Sequence, residues 1–114
     1  MNAPAAVTAT QYDVLKDLWD RLTLVSQLAS ELDQDRLDAE DRAELDAVKR
    51  ITGGYATWVM EMTELEKAGQ VIETQALGEL QFLVVAHCED SSAALRMAIK
   101  EQKVGAPPRS VRIR

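Results

Sequence analysis

Apolar residues recur at alternating intervals of three and four in the first third of the chain, the spacing of a helix that packs one face against a partner. Thr10 followed by Asp13 is close to a capping box and predicts where this helix begins. The apolar positions are Leu15, Leu18, Leu22, Val25, Ala29 and Leu32, widened by Val14, Trp19 and Leu28. Residues 33–37 are predicted to form the first connection.

A second helix is predicted from Asp38 to Ala68. The side chain of Asp38 can cap the helix, while Lys67 and Gly69 supply a cationic last turn and a left-handed stop. Its predicted apolar face consists of Leu45, Val48, Ile51, Tyr55, Trp58, Val59, Met62 and Leu65. Gly53 and Gly54 interrupt this helix at a cost of about 1 kcal/mol each relative to alanine. We therefore expect a kink or a close approach by a neighbouring helix, with backbone contact to a ligand or partner as the alternative.

A third helix is predicted to begin between Val71 and Thr74 and to end near Val104, because Gly105 and the two prolines beyond it cannot continue it. Its predicted apolar face consists of Leu77, Leu80, Leu83, Val84, His87, Ser91, Ala94, Leu95 and Ala98.

These elements predict an all-α fold. The pattern contains no alternating strand signal, and short connections make neighbouring helices antiparallel. We expect an up-down-up bundle of three long helices over residues 10–104, preceded by a flexible N-terminus at 1–9 and followed by a basic, proline-containing tail at 105–114.

Charge is segregated along the chain, whose formal net charge is -6. The segment from Glu31 to Asp46 predicts an exposed acidic patch suited to a protein partner with a basic surface. Solvated surface is the alternative, and mimicry of nucleic-acid phosphates is a narrower one. The acids of the patch are Glu31, Asp33, Asp35, Asp38, Glu40, Asp41, Glu44 and Asp46.

The tail carries the opposite charge. In an extended chain Arg109, Val111 and Ile113 would lie on one side, and Arg112 and Arg114 with Ser110 on the other. This pattern suits addition to a sheet edge or binding in an acidic groove, and a disordered basic end is the alternative. Direct binding of nucleic acid is expected only through this tail.

Phe82 and Val85 lie on the reverse side of the third helix from its predicted core face. A helix that is apolar on both sides is buried on both sides, so these residues predict self-association, most simply as a two-fold dimer. Ordinary exposed apolar residues are the alternative.

The pattern favours no catalytic, metal or cofactor site. His87, the only histidine, is expected to be a buried polar residue bonded to Ser91 or Tyr55, with a pH-responsive or ligand-binding histidine as alternatives. Position 84 is valine, so the Glu-x-x-His pair of a di-iron bundle is missing. The single cysteine and histidine exclude common zinc and c-type haem motifs.

We therefore expect a non-catalytic protein-interaction module, such as an adaptor, inhibitor or regulator, that forms homo-oligomers. The alternatives are a structural subunit of a larger assembly, including a phage or virion component, and a cofactor-binding helical bundle. One cysteine and the lack of a signal-peptide pattern predict a cytoplasmic protein, and no apolar stretch is long enough to predict a membrane span.

Overall fold

The computed structural model describes residues 10–105, which fold into three long α-helices and one short 3-10 helix. The α-helices are α1 (Gln11–Ser30), α2 (Ala39–Lys67) and α3 (Thr74–Lys103), and the 3-10 helix (Gln34–Arg36) lies between α1 and α2. The predicted all-α fold is confirmed for this part of the chain. The predictions for residues 1–9 and for the tail beyond Gly105 lie outside the described residues.

Local hydrogen bonds fix where the first two α-helices begin. The Thr10 hydroxyl accepts from the backbone N of Asp13 at 3.1 Å, and the Asp13 carboxylate accepts from the backbone N of Thr10 at 3.3 Å. This is the capping box that the sequence predicts. Asp38 caps α2 by accepting from the backbone N of Asp41 at 2.8 Å. Each bond satisfies an amide that the first turn of a helix leaves without a partner.

Glycine ends α2 and follows the end of α3. Gly69 has φ of 79° and Gly105 has φ of 75°, both in the left-handed region that a Cβ disfavours. Behind Gly69, the backbone N of Gln70 donates to the carbonyl of Leu65 at 3.0 Å, which closes the last turn of α2.

Helix α1 lies in the middle of the core. It packs along both α2 and α3, whereas α2 and α3 touch each other over a much shorter stretch. Side-chain amides join the ends: Gln11 Nε2 donates to the carbonyl of Ile72 at 2.7 Å, and Gln102 Oε1 accepts from the backbone N of Asp33 at 2.9 Å. The start of α1 therefore lies beside the segment that leads into α3, and the end of α1 lies beside the end of α3.

The core is aliphatic, and on α2 it differs from the predicted apolar face. Asp41 and Thr52 are buried on α2, whereas Ile51, Trp58 and Leu65 are exposed. The predicted face was centred too far round the helix, because the buried face of α2 is set by where α1 lies. The fully buried large apolar side chains are Leu15, Leu18, Leu22, Val25, Leu45, Val59, Leu80, Val84 and Leu95.

The glycine pair of α2 does not mark a close helix approach within this chain. A Cβ placed on Gly53 or Gly54 would meet no heavy atom within 4 Å, and α2 continues through both residues. The expected close packing is therefore wrong for the described part of the chain, since both residues are exposed.

Within residues 10–105, none of the helices combines the length and the apolar character needed to cross a lipid bilayer.

Candidate interaction surfaces

The acidic segment is only partly an exposed patch. Six of its acids are exposed: Glu31, Asp33, Asp35, Asp38, Glu40 and Asp46. Asp41 is fully buried and Glu44 is partly buried, so neither belongs to an exposed surface. Helical spacing accounts for the burial of Asp41, because it lies on the same side of α2 as the core residue Val59, eighteen positions later.

Two of the exposed acids also stabilise local structure. Asp38 caps α2, and the Asp33 carboxylate accepts from the backbone N of Asp35 at 3.1 Å to cap the 3-10 helix. The backbone of Asp33 also bonds the Gln102 side chain in both directions. The acidic corner around the 3-10 helix, defined as Glu31, Asp33 and Asp35, is thus attached to the end of α3.

The residues predicted for the tail, Arg109, Val111, Arg112, Ile113 and Arg114, lie outside the described residues.

The outward face of α3 exposes large apolar side chains. Phe82 is 74% exposed and Met97 is 68% exposed. Ala86 and Ala93 lie between them on the same side, since steps of three, four and seven residues keep to one helix face. Both alanines are exposed. This outer α3 face, defined as Phe82, Ala86, Ala93 and Met97, lies opposite the buried side of the helix.

Val85 does not belong to the outer α3 face. It is partly buried and packs against the core. The reason is that α1 covers the flank of α3 on which Val85 lies, the flank that also buries Cys88. The two residues of the predicted self-association site therefore lie on different sides of α3, with Phe82 exposed and Val85 packed against the core.

A second apolar surface runs between α2 and α3. We call it the α2–α3 groove and define it by four exposed side chains, Ile51, Trp58 and Leu65 on α2 and Leu83 on α3. The three α2 residues are seven positions apart and so share one side. Met60 of α2 borders α1, and Trp58 lies about 200° away from it around the helix. Trp58 consequently lies on the side of α2 that faces α3.

His87 of α3 and Tyr55 of α2 contact each other between the two helices, and both are partly buried. The Tyr55 and His87 rings meet edge to face, with their centres 5.5 Å apart. Leu83 lies one turn before His87 on α3, and Trp58 lies almost one turn after Tyr55 on α2. The short connection from Lys67 to Thr74 keeps the end of α2 beside the start of α3, which places Trp58 and Leu83 on the same side of the His87 contact.

The α3 edge of the α2–α3 groove carries carboxylates. Glu79 and Asp90 on α3 are exposed; Glu79 lies beside Leu83, and Asp90 lies near His87. On α3, Arg96 lines the flank next to α1 and Lys100 lies on the outer side, eighteen positions after Phe82, so neither lies at the groove. On α2, Arg50 lies opposite the core residue Val59, on the outer side of the helix.

His87 is bonded as a neutral Nε2–H tautomer. Thr52 Oγ1 donates its one proton to the carbonyl of Val48 at 2.7 Å, so at its 2.8 Å contact with His87 Nε2 it can only accept. Nδ1 faces the Ser91 hydroxyl at 3.5 Å. Of the two partners that the sequence suggested, Ser91 makes this long contact and Tyr55 a ring contact, while the short bond is to Thr52.

Burial lowers the pKa of His87, and the nearby Asp90 carboxylate raises it by a smaller amount. The ring is only partly buried, on the α2-facing flank of α3, and is not the buried residue that the sequence predicts. The neighbouring Cys88 is the buried one, and burial raises the pKa of its thiol to about 11.

Among residues 10–105, the side chains of His, Cys, Asp and Glu do not form a group of three or more that could hold a metal ion. Comparison with protein-family models, curated proteins and solved structures gave no match to this chain. The surfaces themselves are thus the basis for a functional assignment.

Proposed function

We propose that this chain is a non-catalytic protein-interaction module, an adaptor, inhibitor or regulator, built as an antiparallel up-down-up bundle with a basic C-terminal tail. The observation that carries the proposal is the outer α3 face, where Phe82 and Met97 are mostly exposed on a helix whose opposite side is in the core. Exposed large apolar residues grouped on one face are typical of protein contact sites.

The outer α3 face suits a second copy of the same chain. Its residues are arranged symmetrically about the point between Glu89 and Asp90: Phe82 and Met97 are equally distant from that point, and so are Ala86 and Ala93. If two α3 helices cross that point in opposite directions, Phe82 of each lies against Met97 of the other. A two-fold interface needs such a self-complementary surface.

Beyond this apolar centre, opposite charges of the two copies also face each other. The same register places Glu79 of one copy opposite Lys100 of the other, and both residues are exposed. Near the two-fold axis, Glu89 and Asp90 each approach their own counterparts, which is unfavourable. Arg21 of α1 interacts with Glu89 in the same chain and offsets part of this repulsion.

The proposed interface is small. A helix of 30 residues is about 45 Å long and, with its side chains, about 10 Å wide. One helix face on each side therefore buries an area near the lower limit of about 1,000 Å² for specific interfaces. We expect a dimer that dissociates on dilution.

Sedimentation equilibrium tests this function. The wild type should gain mass with concentration toward that of a dimer, and Phe82→Lys should remain monomeric with unchanged helicity by circular dichroism. Val71→Lys is the matched control, because Val71 is even more exposed than Phe82 but lies in the connection before α3. A wild type that stays monomeric at millimolar concentration, or equal weakening by both variants, would contradict this proposal.

The acidic corner and the tail are further proposed contact sites. The exposed carboxylates of Glu31, Asp33 and Asp35 support recruitment of a basic partner surface, and such contacts weaken as salt screens them.

A further inference from the structure

We propose that the α2–α3 groove binds an amphipathic helix of a partner protein, one with an apolar stripe and basic flanks, which lies opposite α1 as a fourth helix. This inference rests on the proposed function as a protein-interaction module but uses a surface distinct from the outer α3 face.

The packing of the three helices defines the position of the fourth. In a four-helix bundle each helix packs against two neighbours and lies diagonally across from the third. Helix α1 packs along both α2 and α3, while α2 and α3 meet over a short stretch that includes the contacts of His87 with Thr52 and Tyr55. The helices α2 and α3 are thus related as diagonal helices, and the position opposite α1 lies over the groove.

The groove offers the apolar contacts that such a helix requires. Ile51, Trp58 and Leu65 repeat every two turns along α2, and Trp58 is 39% exposed. Leu83 faces them from α3 and is exposed to a similar extent. A partly exposed tryptophan between two helices is a typical anchor for a partner helix, because burying its ring removes a large apolar area from water. The occupant would present residues at helical spacing to this stripe.

The carboxylates beside the groove favour a basic partner helix. Glu79 and Asp90 line the α3 edge, so lysine or arginine beside the apolar stripe of the occupant would pair with them. A second copy of this chain is disfavoured here, since its groove would bring like charges against these carboxylates. The groove therefore differs from the outer α3 face, where Glu79 meets Lys100.

The test uses a defined peptide as the probe. A 20-residue peptide with leucine at three- and four-residue spacing and lysine elsewhere is titrated into a Trp19→Phe variant, in which Trp58 is the only fluorophore of its kind. We expect a saturable 1:1 blue shift of Trp58 emission. A peptide with the same leucine pattern and glutamate in place of lysine should give none.

Matched variants separate groove binding from general attraction to an acidic protein. The groove variant Glu79→Gln/Asp90→Asn and the control Asp46→Asn/Glu64→Gln remove the same charge, and the control acids are exposed on the other side of α2. Because exposed ion pairs each change affinity by a few-fold, the groove variant should bind about tenfold more weakly than the control. In the background that keeps Trp19, Trp58→Ala should weaken binding measured by calorimetry about tenfold.

Equal affinities of the two double variants, an unchanged affinity of Trp58→Ala, or equal binding of the glutamate peptide would overturn the inference. Because Glu79 borders both surfaces, the peptide titrations use protein concentrations at which the chain is monomeric, and Phe82→Lys tests the dimerisation of the unliganded protein by itself. A result that contradicts binding in the groove can therefore be distinguished from one that contradicts dimerisation through the outer α3 face.

Discussion

Oγ1 of Thr52 in α2 and Nε2 of His87 in α3 are 2.8 Å apart and join the two helices that share the least packing. We expect Thr52→Val, which keeps the side-chain shape, to leave the histidine N–H without its acceptor. Loss of the bond should lower the free energy of unfolding by about 1–3 kcal/mol. Urea denaturation followed by circular dichroism measures this. Thr57→Val is a suitable control, because Thr57 is exposed and its hydroxyl bonds only the carbonyl of Gly53 among the described contacts. Equal stability of Thr52→Val and wild type would mean that this bond does not hold α2 to α3.

The same histidine predicts a pH dependence of stability. Burial lowers the pKa of His87 in the folded protein below its ordinary value of 6.5. Between the two pKa values the unfolded chain binds more protons than the folded one, so the unfolding free energy rises with pH. The contribution is fully present above about pH 6.5 and is lost as pH falls through the folded pKa. We expect the unfolding free energy of wild type to fall more steeply from pH 7.5 to 5 than that of His87→Gln. Parallel curves would contradict the assignment.

Gly53 and Gly54 should be replaceable by alanine with a gain in stability. Both are exposed in the interior of α2 with no neighbouring atom in the way. Each substitution should raise the free energy of unfolding by about 0.4–1 kcal/mol, because alanine restricts the unfolded chain and favours helix. Gly69→Ala should instead destabilise the fold by about 1–2 kcal/mol, since φ at Gly69 is 79°. Thermal melting of the three variants tests the two predicted gains in stability and the predicted loss. A destabilising Gly53→Ala would reveal a backbone constraint not seen in this chain alone.

Cys88 should react slowly with thiol reagents in the folded protein. Its pKa of about 11 compares with an ordinary value of 9.0, which leaves about 100-fold less thiolate at neutral pH, and the side chain is buried. Reaction with a disulfide reagent at pH 8 should be at least that much slower than after unfolding in urea. Reaction at the rate of the unfolded chain would show that α3 opens readily on its α1 side.

Helix boundaries could be predicted from the sequence because the signals are local. Thr10 with Asp13, Asp38 and Gly69 each set a helix end through bonds or dihedral angles within a few residues. The choice of buried face could not be predicted as well. It depends on where another helix lies, and hydropathy does not report that.

The predicted and observed burial of residues on the candidate surfaces differ because burial depends on where the neighbouring helices lie. Thr52 is buried where its hydroxyl bonds His87 of α3, whereas the more apolar Trp58 is exposed because it lies about 100° around α2 from the core residue Val59. Asp41 is buried although its neighbours in sequence are acidic and exposed, and Val85 packs against the core although it is close to Phe82. In each case a neighbouring helix, more than the residue type, sets the environment.

The register of the proposed dimer is tested most directly by disulfide cross-linking. Phe82→Cys and Met97→Cys are made separately in a Cys88→Ala background and oxidised mildly, alone and as an equal mixture. In the antiparallel register, position 82 of one copy is about 22 Å from position 82 of the other, far beyond the reach of a disulfide, but it lies against position 97 of that copy. The account predicts that neither variant alone forms a covalent dimer and that the mixture forms the mixed dimer. Efficient self-cross-linking of Phe82→Cys, or no cross-link in the mixture at concentrations where the proteins associate, would contradict it.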